Sequence, residues 1–122
     1  MNARRILVID DNAEMRETMS QMLKSAGYEV DLAANGIQGA KLQQASPADL
    51  IITDLLMPGK AGLETIIEFR RDFPQVPVIA MSGAPRNGFY LVMADRLGAA
   101  RTIEKPFQPK ELLTAVQDVL RA

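Results

Sequence analysis

Asp54 closes the apolar run Leu50-Ile51-Ile52-Thr53 and is followed within five residues by Pro58 and Gly59. A carboxylate there stands at the C-terminal end of a buried strand, where open α/β sheets place their ligands. Two further segments end in the same way: Arg5-Ile6-Leu7-Val8-Ile9 runs into Asp10 and Asp11, and Val78-Ile79-Ala80-Met81 runs into Ser82 and Gly83. Another, Arg101-Thr102-Ile103-Glu104, delivers Lys105, Pro106 and Phe107. If these strands are neighbours, three carboxylates, a hydroxyl and an ammonium meet at one sheet edge. Like charges about 4 Å apart cost about 4 kcal/mol per pair at an effective dielectric near 20, so the cluster calls for neutralisation. Lys105 supplies one positive charge, and a hard divalent cation with oxygen ligands and retained waters, Mg²⁺ by preference, would supply two. So equipped, Asp54 is placed to act as a nucleophile toward phosphorus, with Ser82 donating to a phosphoryl oxygen. Taken singly, each feature has a plainer reading: Asp10-Asp11 a cap and turn, Asp54 a structural carboxylate, Ser82-Gly83 a loop start, Lys105-Pro106 a solvated lysine before a turn. Their recurrence at the same end of successive strands is what favours chemistry.

The elements that must position these groups can be read along the chain. After Asn12, Met15, Met19, Met22, Leu23 and Ala26 recur at helical spacing up to Gly27, with Asn12 or Asp11 available as the cap. Tyr28 to Ala33 alternates, as an edge strand does, and Asn35-Gly36 turns into a helix over Ile37 to Gln44, with Ala40 and Ile37 expected inward. A third helix carries Leu63, Ile66, Ile67 and Phe69 up to Asp72. The segment from Gly83 to Gly88 reads as a loop before a helix over Phe89 to Leu97, where Phe89, Leu91 and Val92 add apolar groups off the Tyr90, Met93, Ala94, Leu97 stripe and mark a partner surface. Pro109 opens the last helix, striped by Leu112, Leu113, Val116, Val119 and Leu120. Alternation of this kind predicts an α/β domain: a five-stranded parallel sheet with five helices on its two faces, one domain spanning residues 1–122.

Composition removes several classes of function. There is no Cys and no His, which excludes thiol nucleophiles, Ser-His-Asp triads and zinc sites of the usual ligand type. Lys+Arg 14 against Asp+Glu 15 leaves a formal net charge of -1, no field for holding nucleic acid or an anionic membrane. The N-terminal apolar run is too short for a signal peptide, and nothing approaches the ~20 apolar residues of a membrane span. A cytoplasmic protein without direct nucleic-acid or membrane contacts is expected. Neither a Gly-rich phosphate loop nor a Walker lysine follows any strand, which argues against a nucleotide- or flavin-binding protein.

Together, Asp10-Asp11, Asp54 with Met57-Pro58 and Gly62, Ser82-Gly83-Ala84 and Lys105-Pro106-Phe107 resemble the receiver domain of two-component response regulators, the family that includes the chemotaxis regulators. The resemblance covers essentially the whole chain. It implies a flavodoxin-like, doubly wound sheet of order 2-1-3-4-5. It implies that Asp54 is the phosphoacceptor, taking its phosphoryl group from a phosphohistidine on a sensor histidine kinase or a histidine phosphotransfer protein. It further implies that Asp11 binds Mg²⁺ directly, Asp10 through water, and Asp54 and the backbone carbonyl of Leu56 complete the set, with Ser82 the switch hydroxyl and Lys105 the counter-ion. Family members usually have an aromatic switch residue three positions before the lysine, where this chain has Thr102. Output is therefore expected through the 83–88 loop, the helix after it, and the last strand and helix, toward a downstream protein or a phosphorylation-dependent homodimer. Leu56 and Ala84, two residues after Asp54 and Ser82, offer no side chain to hold a hydrolytic water, so slow self-dephosphorylation is expected and not an enzyme's turnover. Leu56 also stands where an aspartyl-phosphate phosphohydrolase needs a second carboxylate. The remaining alternative is a receiver-like binding module that works without phosphorylation.

Overall fold

The computed structural model describes residues 3–55, 62–83 and 89–121. Strands and helices alternate: β1 (Arg5–Ile9), α1 (Ala13–Ser25), β2 (Glu29–Ala33), α2 (Gly36–Ala45), β3 (Leu50–Asp54), α3 (Gly62–Asp72), β4 (Val78–Ser82), α4 (Phe89–Arg96), β5 (Arg101–Glu104) and α5 (Pro109–Arg121). The five strands form one parallel sheet in the order β2-β1-β3-β4-β5. This is the flavodoxin-like arrangement expected, with the order changing direction between β1 and β3, the position at which such sheets bind ligands.

Strand sequence explains strand position. Every residue of β3 and β4 is buried, because helices cover both faces, and their side chains alternate between two cores. On one face Ile6, Val8, Leu50, Ile52, Ile79 and Met81 meet Met19 and Leu23 of α1 and Leu112 and Val116 of α5. On the other, Leu7, Ile9, Ile51, Val78 and Ala80 meet Ile66 and Phe69 of α3 and Ala94 of α4. β2 and β5 are the edges, and β5 buries only Ile103.

Helix ends follow from local chemistry. Of the two caps open to α1, Asn12 is used: its Oδ1 accepts from the Met15 N–H at 3.0 Å, and Asn35 caps α2 in the same way from Gln38 at 2.8 Å. Each such cap contributes about 1 kcal/mol. Gly27 and Gly98 end α1 and α4 with φ of 98° and 106°, a left-handed conformation that costs glycine nothing.

α2 departs from expectation. Ile37, expected inward, is 59% exposed, and the buried face is Gly36, Gly39 and Gln43. The helix lies too close to its neighbours for larger side chains: a Cβ at Gly39 would stand 2.6 Å from Ile9 Cδ1, and one at Gly36 2.7 Å from Thr65 Oγ1. Gln43 is accommodated because its amide acts as a strand would, donating to the Ala48 carbonyl at 3.2 Å and accepting from the Ala48 N–H at 3.0 Å. On α3, Ile67 is also exposed, while Leu63, Ile66 and Phe69 face the core as expected.

Candidate functional site

Parallel pairing carries the candidate residues to one edge. The β1–β3 ladder ends at Ile9 opposite Thr53, so Asp10 and Asp54 are the next residues on adjacent strands. Pairing continues past the strand ends: the Asp10 N–H donates to the Ala33 carbonyl at 3.1 Å, Leu55 N–H to Met81 at 2.8 Å, and Lys105 N–H to Ser82 at 2.8 Å. Asp10, Ser82 and Lys105 therefore take their places from backbone hydrogen bonds. Asp54 is fixed by its register opposite Met81, with its backbone carbonyl accepting from Thr53 Oγ1 at 3.2 Å.

Asp10, Asp11 and Asp54 converge, with one carboxylate oxygen of each inside a 4.8 Å span. Asp10 is fully buried, Asp54 is 5% exposed and Asp11 is open to solvent. The Lys105 ammonium, 17% exposed, donates to Asp10 Oδ2 at 2.9 Å and lies 3.4 Å from Asp54 Oδ2. The second oxygen of Asp10 accepts from the Asn12 N–H at 2.9 Å. Ser82 is buried at the end of β4. Behind the site, Gly62 is pressed onto the end of β3, where a Cβ would collide with the Leu55 backbone.

Asp10, Asp11, Asp54, Ser82 and Lys105 thus stand where the sequence predicts. Leu56, whose backbone carbonyl is the fourth expected metal ligand, and residues 84–88 of the expected output loop lie outside the described residues. Sequence reasoning missed one group. Arg16, half-buried on the first turns of α1, donates from Nη1 to the Asp10 carbonyl at 2.7 Å. Its signal was a cation near a helix N-terminus, where the dipole disfavours positive charge.

The donor set suits a hard cation. It consists of carboxylate oxygens, three negative groups against one ammonium, and the exposed Asp11 leaves an approach from solvent. Asp10 spends both oxygens on Asn12 and Lys105, whereas the Asp11 carboxylate is open to solvent.

A doubly wound parallel sheet with an acidic cluster, a buried hydroxyl and a lysine at its C-terminal edge defines a class of phosphoryl-accepting switch domains. The chain belongs to the response regulator receiver domain family, whose family model matches residues 6–117. It is 35% identical over 116 residues to the DNA-binding transcriptional regulator NtrC of a Bradyrhizobium species, covering 95% of this chain and 24% of that protein. It is 31% identical over 120 residues to the transcriptional regulatory protein BaeR of Escherichia coli, covering 98% and 49%. The chain thus spans half or less of the length of these relatives. Among solved structures, it is similar to the chemotaxis protein CheY4 of Vibrio cholerae, at 29% identity and a TM-score of 0.88 with 97% and 99% of the two chains covered. It is also similar to a CheY-like receiver domain protein of Methanospirillum hungatei, at 27% identity, a TM-score of 0.91 and 98% and 95% coverage. The family is that of the receiver domains of two-component, phosphorylation-based signal transduction. Receiver domains bind Mg²⁺ at an acidic cluster, and Asp10, Asp11 and Asp54 form such a group here. No helix among the described residues is long and apolar enough to cross a membrane.

Proposed function

We propose that residues 1–122 form a single receiver domain in which Asp54 accepts a phosphoryl group from a phosphohistidine on a sensor kinase or phosphotransfer protein. The observation that carries this reading is a buried Asp54 carboxylate lying 3.4 Å from the Lys105 ammonium inside a three-carboxylate cluster. An Asp54 oxygen attacks phosphorus in line with the bond to the donor nitrogen. The P–O bond forms, the P–N bond breaks, and the imidazole leaves neutral, keeping the electron pair on the released nitrogen and the proton on its other one. Lys105 holds the developing charge of the phosphoryl oxygens, and the Ser82 hydroxyl donates to one of them after transfer. Asp11, Asp54 and the Leu56 carbonyl would hold Mg²⁺, with Asp10 acting through water; the ion, when bound, offsets the charge that carboxylates and phosphoryl group bring together.

The same reading makes the domain a switch and not an enzyme, since Leu56 and Ala84 supply no group to orient a hydrolytic water and the acyl phosphate persists. Output passes through α4, β5 and α5 to a downstream protein or a second copy of the domain. Exposed Val92 on α4 supports that face, and Thr102, small and exposed on β5, supplies no ring to turn. A formal net charge of -1 supports a domain that does not itself hold nucleic acid, even where its relatives are DNA-binding regulators. The reading carries a cytoplasmic location with it. The test is intact-mass spectrometry after incubation with acetyl phosphate. A single phosphoryl adduct that needs both Mg²⁺ and Asp54, and is absent from Asp54→Asn, is expected. An adduct retained by Asp54→Asn, or none from either acetyl phosphate or a phosphohistidine donor, overturns it.

A further inference from the structure

The two members of the Asp10-Asp11 pair are held very differently. Asp10 is fixed at its N–H by Ala33, at its carbonyl by Arg16, and at its two carboxylate oxygens by Asn12 and Lys105. No hydrogen bond or ion pair from the described residues reaches the exposed Asp11 carboxylate. Its direction is set by the peptide plane that joins it to Asp10. The oxygen of that plane is the Asp10 carbonyl, the atom on which Arg16 Nη1 sits at 2.7 Å.

Helix geometry explains the reach. Cα–Cβ bonds tilt toward the helix N-terminus, so a long side chain four residues into α1 folds back over the strand end it came from. A guanidinium there opposes the helix dipole but is favoured by the carboxylates of the cluster. We infer that Arg16 is a positioning residue for metal binding: by holding the Asp10–Asp11 peptide, it aims the otherwise unrestrained Asp11 carboxylate at the cation. This inference rests on the Mg²⁺ site proposed above.

Two effects of Arg16 on Mg²⁺ have opposite signs, which makes the inference testable. As a bare charge near the cluster, Arg16 repels the cation, and its removal tightens binding. As the clamp on the Asp10–Asp11 peptide it aids binding, and its removal weakens it, as loss of groups that orient metal ligands commonly does, by about tenfold. The measurement is the Mg²⁺ dissociation constant of the unphosphorylated chain by titration calorimetry, with circular dichroism confirming the fold. Arg16→Ala is expected to bind about tenfold more weakly. Arg16→Lys, which keeps the charge and can reach the carbonyl, is expected to recover most of the loss. Arg16→Met, which keeps the stem packed along α1 but has no donor for the Asp10 carbonyl, is expected to bind as weakly as Arg16→Ala, which a loss of packing on α1 would not produce. Equal or tighter binding by Arg16→Ala, or wild-type binding by Arg16→Met, overturns the inference while leaving the Mg²⁺ site intact. A wild-type chain that binds no Mg²⁺ overturns both.

Discussion

Lys105→Met tests whether the site is an electrostatic balance between one lysine and a cation. At an effective dielectric of about 20, the ammonium attracts Asp10 at 2.9 Å by about 6 kcal/mol and Asp54 at 3.4 Å by about 5 kcal/mol. Taking the ammonium out of water consumes several kcal/mol of that, and removing one partner of a buried pair typically costs about 3–5 kcal/mol because the other charges remain buried. Here two carboxylates, at 0% and 5% exposure, are left facing each other. Metal-free Lys105→Met should therefore unfold in urea at a midpoint corresponding to about 3–5 kcal/mol less stability, with an unchanged slope. Methionine keeps the length of the stem, so lost packing contributes little. Lysine and Mg²⁺ share the same carboxylates, so the variant should also bind the ion more tightly. Stabilisation by a ligand of the folded state grows as RT ln(1 + [L]/Kd), so a tenfold tighter site adds about 1.4 kcal/mol at saturation. Urea curves at zero and saturating Mg²⁺ give both quantities. A metal-free loss under about 1 kcal/mol, or equal Mg²⁺ increments in the two proteins, would refute the reasoning.

The remaining predictions concern the scaffold behind the site. Gly62→Ala puts a Cβ into the Leu55 backbone, which no rotamer change relieves, so the variant should lose about 1–3 kcal/mol in chemical unfolding and form acyl phosphate on the neighbouring Asp54 more slowly; unchanged stability would show that the contact is soft. Thr65→Val should gain about 1 kcal/mol, since Thr65 Oγ1 is buried with no hydrogen-bond partner among the described residues and valine fills the same shape; a loss of stability in thermal unfolding would mean that the hydroxyl is satisfied in solution. Gln43→Ala strips the Ala48 N–H and carbonyl of their buried partner and should cost about 2–4 kcal/mol. A value near that of an ordinary surface substitution would contradict the bonding.

How far the sequence disclosed the fold depended on what each element is made of. β1, β3 and β4 are legible because strands buried on both faces must be apolar throughout, and short runs closed by Asp or Ser announce where they end. α1 and α5 are legible because their buried residues recur at the helical period. α2 was misread because apolarity is the wrong signal for an element packed by close approach. Gly36 and Gly39 are inside for what they lack, Gln43 is inside for its amide, and Ile37 is left in water. The convergence of the candidate residues was legible because each is the last residue of a strand or one of the first two past it, so topology alone brings them together. Arg16 was not, because nothing in a helical pattern says that a side chain turns back six residues to a carbonyl.

The placement also explains why so unfavourable a cluster can persist in the folded state. Carboxylates on mobile loops would separate to relieve their repulsion, which runs to a few kcal/mol per pair at these distances. Asp10 and Asp54 have no such freedom, because Asp10 directly follows and Asp54 ends a strand whose apolar residues are all buried in the two cores. The sheet holds the strain; a bound cation would relieve it, whereas a phosphoryl group on Asp54 would add negative charge and increase the demand on Lys105. On the function proposed above, phosphoryl transfer would draw Ser82 and Lys105 toward a new anion on Asp54. Because those two residues are joined by the Lys105 N–H to Ser82 carbonyl bond, β4 and β5 would respond together. Charge placed on β3 would thereby reach the exposed edge of the sheet, where β5 buries only Ile103.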